Sequence, residues 1–134
     1  MNNNPLLTVL IPAYNNTNSL VRALESISKQ TIGKKIFVTV SDDCSPYKIE
    51  KDVVLGFARY FNGIKFFRQI NNLGFLSNSA WLSNTVETDF YTFLHHDDYI
   101  YQNDFYEKVL DKFINNKKLV CFFGNSVNIE FNKQ

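Results

Sequence analysis

Apolar and polar positions alternate along this chain in blocks of two periods. Leu6–Ile11 (LLTVLI) is a continuous apolar, β-prone run closed by Pro12, as expected of a strand buried on both faces. Thr17-Asn18-Ser19 offer capping side chains, and Leu20, Ala23, Leu24 and Ile27 then recur at helical spacing up to Lys29. Gly33 interrupts that pattern before a second strand, Ile36–Ser41. Beyond the polar loop Asp42–Pro46, the residues Ile49, Val53, Phe57 and Tyr60 predict one face of a second helix, stopped at Asn62-Gly63. A third strand is expected at Ile64–Gln69, a loop at Ile70–Gly74, and a helix at Phe75–Thr85 despite its Asn and Ser residues. Phe90–Leu94 reads as a fourth strand. Asp104 can cap a helix that carries Phe105, Val109 and Phe113 on one face, and Leu119–Phe123 and Val127–Phe131 resemble two further strands.

Strand and helix in strict alternation predict an α/β fold: a doubly wound, mostly parallel sheet with flanking helices, in a single domain. The chain has 134 residues, of which 45% are hydrophobic and 20% charged, so a sizeable core is expected. Its formal net charge of +1 gives no electrostatic case for nucleic acid as a partner. No apolar run reaches the ~18 residues of a membrane span, and the polar start Met1-Asn2-Asn3-Asn4 lacks the form of a secretion signal. The expected setting is the cytoplasm, peripheral to a membrane at most. Cys44 and Cys121 lie far apart and make no metal-binding spacing.

In doubly wound sheets, ligands bind beyond the carboxyl ends of the strands. The residues there are Pro12-Ala13-Tyr14-Asn15-Asn16, Asp42-Asp43-Cys44-Ser45-Pro46, Asn71-Asn72-Leu73-Gly74 and His95-His96-Asp97-Asp98. No glycine-rich phosphate loop follows the first strand, which removes the dinucleotide oxidoreductases and P-loop enzymes. A phospho-receiver is removed too, because its acidic pair would follow the first strand, where PAYNN stands. A diphosphate could instead be neutralised by Mg²⁺ or Mn²⁺ on one or two carboxylates, a task Asp97 and Asp98 fit as well as they fit a simple turn. Adjacent histidines point to opposite faces of an extended segment, so His95 and His96 are poor joint ligands. Tyr14 offers a phenol for stacking on a planar base or for capping its strand, with Pro12 shaping the turn beneath. Asp43 could accept the ring N–H of a uracil or guanine. Ser45 suits bonding to nearby loop backbone, and Arg68 is expected at the surface.

The phrases TVLIPAYNN from Thr8, VTVSDDCSP from Val38, NNLGF from Asn71 and FLHHDDY from Phe93 resemble, in order and spacing, the family 2 glycosyltransferases of the GT-A fold. The resemblance implies transfer of a sugar from a nucleotide diphosphate sugar, a UDP-sugar foremost, to a hydroxyl of a carbohydrate or lipid-linked acceptor, with inversion. It places Pro12, Tyr14 and Asp43 at the nucleotide base, Asp97 at the closing Asp of the family's DxD motif on metal and diphosphate, and Asp98 beside it on ribose or metal. His95 stands where that motif usually opens with Asp, and Ala80 and Trp81 where the family often has Asn or Arg. Family domains are longer, so the 134 residues are expected to be the donor-binding portion, without the acceptor half and its catalytic base. An uncovered sheet face would favour association of copies. A non-catalytic nucleotide-binding module on the same fold is the alternative.

Overall fold

A computed structural model describes residues 4–128. Four strands, β1 (Leu7–Ala13), β2 (Ile36–Asp42), β3 (Gly63–Arg68) and β4 (Phe90–Phe93), form one sheet in the order β3-β2-β1-β4. Every pairing is parallel. The helices are α1 (Thr17–Ser28), α2 (Lys51–Leu55), α3 (Phe75–Ser83) and α4 (Phe105–Asn115).

Side-chain alternation divides the sheet between two layers. Leu7, Val9, Ile11 and Ala13 of β1 and Ile36, Val38 and Val40 of β2 share one core with Leu20, Leu24 and Ile27 of α1, Val54 of α2, and Tyr106 and Leu110 of α4. Each such aliphatic side chain contributes about 1.5–3 kcal/mol on full burial. On the opposite face α3 packs against β1 and β2, burying Leu82 and Asn78. Burial pushes the Tyr106 phenol up, so it is a neutral member of the core.

Strand β1 continues through Pro12 to Ala13 rather than stopping at the proline. The backbone explains why. The carbonyls of Leu6 and Leu10 accept from Phe90 and Leu94 on the β4 side. Pro12 has the same parity as Leu10 and so faces that side, beyond the end of β4, where no ladder bond is lost for want of an N–H.

Four other expectations change. The second helix is one short turn of α-helix followed by a 3₁₀ turn at Ala58–Tyr60. Gly56 separates them, and N–H bonds from Phe57 to Val54, Tyr60 to Phe57 and Phe61 to Ala58 step by three residues. Burial consequently falls on Ile49, Val54 and Phe61, leaving Val53 and Tyr60 exposed. In α4 the buried residues are Tyr106 and Leu110, one position round from the expected Phe105 and Val109. Asp104 precedes α4 but makes no side-chain cap, forming an ion pair with Lys108 at 2.7 Å instead. The segment Leu119–Phe123 is not a strand, and Val120 and Phe123 are almost fully exposed. The expected strand Val127–Phe131 begins in irregular chain at 127–128, and its remainder lies outside the described residues.

Candidate nucleotide-binding rim

The strand order sets the position of the site. Chain progression runs outward from β1 through β2 to β3, then returns to the other side of β1 for β4. The reversal between β1 and β4 is a topological switch point, the place beyond the strands where ligands bind in open α/β sheets. The register there is uneven: β4 pairs only as far as Leu10↔Phe93 while β1 runs on to Ala13↔Asp42 beside β2. The loop after β1 therefore carries Tyr14, the loop after β4 carries Asp97 and Asp98, and the loop after β2 carries Asp43.

Tyr14 is 40% exposed, with a ring able to take a partner. Asn15 follows in the left-handed conformation (φ 68°), as does Cys44 in the neighbouring loop (φ 58°). Asn tolerates that region and Cys pays steric strain there, so two adjoining loops are held in tight, uncommon shapes. Ser45 ties them together: its Oγ accepts the Asn15 N–H at 2.8 Å and donates to Asp42 Oδ1. This is the loop-bracing role expected of Ser45. Asn16 accepts the Ser19 N–H at 3.0 Å and caps α1.

Asp43 is nearly buried, and its carboxylate has a definite structural task. Oδ1 accepts the Leu73 N–H at 2.8 Å and Oδ2 the Gly74 N–H at 2.9 Å. A carboxylate has about four lone-pair sites, so each oxygen keeps room for a second donor. Gly74 adopts φ +79° and ψ 160°, a region essentially restricted to glycine. The Asn-Asn-Leu-Gly loop is thus folded onto Asp43.

Arg68 keeps exposed surface at the end of β3, as expected, while its partnership with the loop after β2 was missed. It lies opposite Asp42 in the β2–β3 register, pairs with Asp42 Oδ2, and donates to the Ser45 carbonyl at 2.8 Å. Asn78 was likewise missed: Ser41 Oγ and Asn78 Oδ1 are 2.6 Å apart, and Asn78 Nδ2 donates to the Ser41 carbonyl at 3.2 Å. Both partnerships depend on strand register or on which helix face meets the sheet. The local signal available for Asn78 is a polar residue four positions before the buried Leu82 on one helix face.

Asp97 and Asp98 are exposed, in a turn closed by the Asp98 N–H on the His95 carbonyl at 3.0 Å. Among the described residues neither carboxylate has a hydrogen-bond or ion-pair partner. Those residues contain no cluster of three or more His, Cys, Asp or Glu able to cage a metal. Two unshared carboxylates nevertheless suit Mg²⁺ or Mn²⁺ of the kind that takes one or two protein oxygens and completes its shell with phosphate and water. His95 stacks on Phe75, with centroids 4.8 Å apart and planes at 29°, which occupies its ring as an aromatic contact.

The model for the glycosyl transferase family 2 matches residues 8–134. The chain belongs to that family. Curated relatives are glycosyltransferases of Rickettsia bellii, 30% identical over 90% of this chain, and Rickettsia felis, 28% identical over the same share. The chain spans 17% and 19% of their lengths. Among solved structures, Staphylococcus aureus TarS 1–349 in complex with UDP-GlcNAc superposes with a TM-score of 0.72 at 23% identity, covering 82% of this chain and 31% of that one. The mannosyltransferase PcManGT from Pyrobaculum calidifontis, in complex with GDP-Man and Mn²⁺, gives 0.71 at 17% identity, covering 81% and 32%. The fold of this family 2 chain is the GT-A fold of those neighbours, present over part of their length. No helix among the described residues is long and apolar enough to cross a membrane.

Proposed function

We propose that this chain is the nucleotide-sugar-binding portion of a glycosyltransferase that moves a sugar from a nucleotide diphosphate, a UDP-sugar foremost, to an acceptor hydroxyl with inversion. The observation that carries this reading is the switch point itself. It sets an exposed tyrosine on one side and two unshared carboxylates on the other, in a family whose solved neighbours include complexes with UDP-GlcNAc and with GDP-Man and Mn²⁺.

In this reading the Tyr14 ring stacks on the base, above the turn shaped by Pro12. Asp43 accepts the base ring N–H on a lone pair that the loop does not use, which rejects bases lacking that donor. Asp97 and Asp98 hold a divalent cation with the diphosphate. That cation, when bound, supplies Lewis-acid stabilisation of the charge growing on the leaving group. The chain's own contribution is to bind and orient the donor so that the acceptor oxygen approaches the anomeric carbon opposite the breaking bond to phosphate. The acceptor proton leaves to a base, which the reading assigns to the acceptor-binding portion of the enzyme. The acceptor is a carbohydrate or lipid-linked hydroxyl, and a reducing cytoplasmic setting suits the two free thiols. Self-association of the chain would start from the exposed apolar side chains of α3 and residues 119–127.

Calorimetric titration with UDP tests the reading. Wild type is expected to bind more tightly with Mn²⁺ than without, Asp97→Asn to lose that gain, and Tyr14→Ala to weaken binding in both conditions. Equal affinity with and without Mn²⁺ in wild type would instead support a nucleotide-binding module without metal-assisted transfer.

A further inference from the structure

Between Leu94, whose N–H is held by Leu10 of β1, and the start of α4 at Phe105, the chain has neither helix nor strand. This stretch carries Asp97 and Asp98. Its attachments run in order down the side of α1 and the turn that follows it. The Arg22 guanidinium lies over the Tyr99 ring at 5.7 Å. The Ile100 N–H donates to Ser26 Oγ at 3.0 Å. Gln30 Nε2 donates to the Gln102 carbonyl at 2.8 Å, and the Thr31 N–H to the Asn103 carbonyl at 2.9 Å. Gln30 Oε1 then accepts the Tyr106 N–H at 3.1 Å, at the first turn of α4.

The two side chains that hydrogen-bond in this ladder are buried polar groups, Ser26 at 7% and Gln30 at 5% exposure. Such groups cost free energy unless their bonding is complete. Here it is directional: Ser26 Oγ donates to its own helix at the Ala23 carbonyl, 2.7 Å away, which turns a lone pair toward Ile100. Gln30 uses both ends of its amide on the descending segment. The acidic pair therefore hangs on the short span between Leu94, fixed to the sheet, and Ile100, fixed to α1. The same helix begins at the Tyr14–Asn16 loop, so one rigid element sets both sides of the switch point.

We propose that Ser26 and Gln30 are positioning residues for Asp97 and Asp98, acting through the backbone of residues 99–103 to hold the carboxylates where a nucleotide-bound cation can meet them. The part concerning the cation rests on the function proposed above. Hydrogen-bonded supports of metal-binding carboxylates are worth roughly 10–100-fold in metal affinity.

The test uses the full chain with Ser26→Ala, Ser26→Thr and Gln30→Glu, the last keeping an acceptor for Tyr106 while losing the donor to Gln102. UDP affinity is measured with and without Mn²⁺, and amide hydrogen exchange without any ligand. Ser26→Ala and Gln30→Glu are expected to keep metal-free UDP affinity, lose about tenfold of the Mn²⁺-dependent gain, and exchange faster over 95–103 but not over 14–16. Ser26→Thr, which restores the hydroxyl, is expected to recover the gain. A merely structural role would lower the melting temperature and leave the Mn²⁺ gain intact, and that result overturns the proposal. Absence of any Mn²⁺ gain in wild type refutes the functional reading, and exchange then decides the clamp alone: faster exchange over 95–103 supports it, unchanged exchange overturns it. Should Ser26→Ala fail to fold, Gln30→Glu gives the same two readouts.

Discussion

Replacing Arg68 by Met isolates the element that braces the loops after β1 and β2. The Asp42 side chain has no exposed surface, whereas that of Arg68 is 32% exposed. Removing the guanidinium leaves a buried carboxylate supported only by the N–H and hydroxyl of Ser45. It also releases the Ser45 carbonyl from its donor. Stranding one member of a buried ion pair typically costs about 3–5 kcal/mol. Asp42→Asn should be milder, about 1–2 kcal/mol, because Asn still accepts from Ser45 and the freed arginine can turn to water. The two effects must then be non-additive: Asp42→Asn with Arg68→Met removes the stranded charge and should be more stable than Arg68→Met alone. Urea unfolding followed by circular dichroism measures all three, and for a domain of this size the single Arg68 change should lower the melting temperature by about 10 °C. A loss under about 1 kcal/mol for Arg68→Met, or a double variant as unstable as the sum of the singles, would mean that Arg68 does not neutralise the buried Asp42.

Gly74→Ala meets no atom within 4 Å of its new Cβ, so its cost is purely conformational, about 1–3 kcal/mol, from the φ of +79°. It should also loosen the loop on Asp43, seen as faster exchange of the Leu73 and Gly74 amides by NMR. Asn78→Ala removes both bonds to Ser41 in the layer beneath α3 and should destabilise by about 2 kcal/mol in the same urea assay while leaving the spectrum of α1 unchanged.

The sheet was legible because the two central strands, buried on both faces, are near-continuous apolar runs, LLTVLI and IFVTVS, while the half-exposed edge strands IKFFRQ and FYTFL still carry aromatic and β-branched residues. The rim followed from topology, since alternating elements put every loop after a strand on one edge. What the sequence hid depends on contacts distant along the chain. Asp42 and Arg68 become partners only through the β2–β3 register, and Pro12 is tolerated only because β4 stops short. Phe105, Tyr106, Val109, Leu110 and Phe113 make a stripe wide enough that pattern alone could not choose its centre. Leu119–Phe123 has strand-like residues without a paired neighbour in the described structure, and β propensity is expressed only against one. Asp43 holds the Leu73 and Gly74 amides, a pairing across about thirty residues that no local pattern announces.

In the proposed function, Asp97 and Asp98 meet a cation beside a nucleotide bound at Tyr14 and Asp43. Paramagnetic broadening by Mn²⁺ in the presence of UDP, read on the backbone amides, tests it most directly. Broadening is expected first at residues 95–99 and at the Tyr14 and Asp43 loops, abolished there by Asp97→Asn with Asp98→Asn. Broadening centred on other acidic residues such as Glu87 and Asp89, or unchanged by that double substitution, would contradict it.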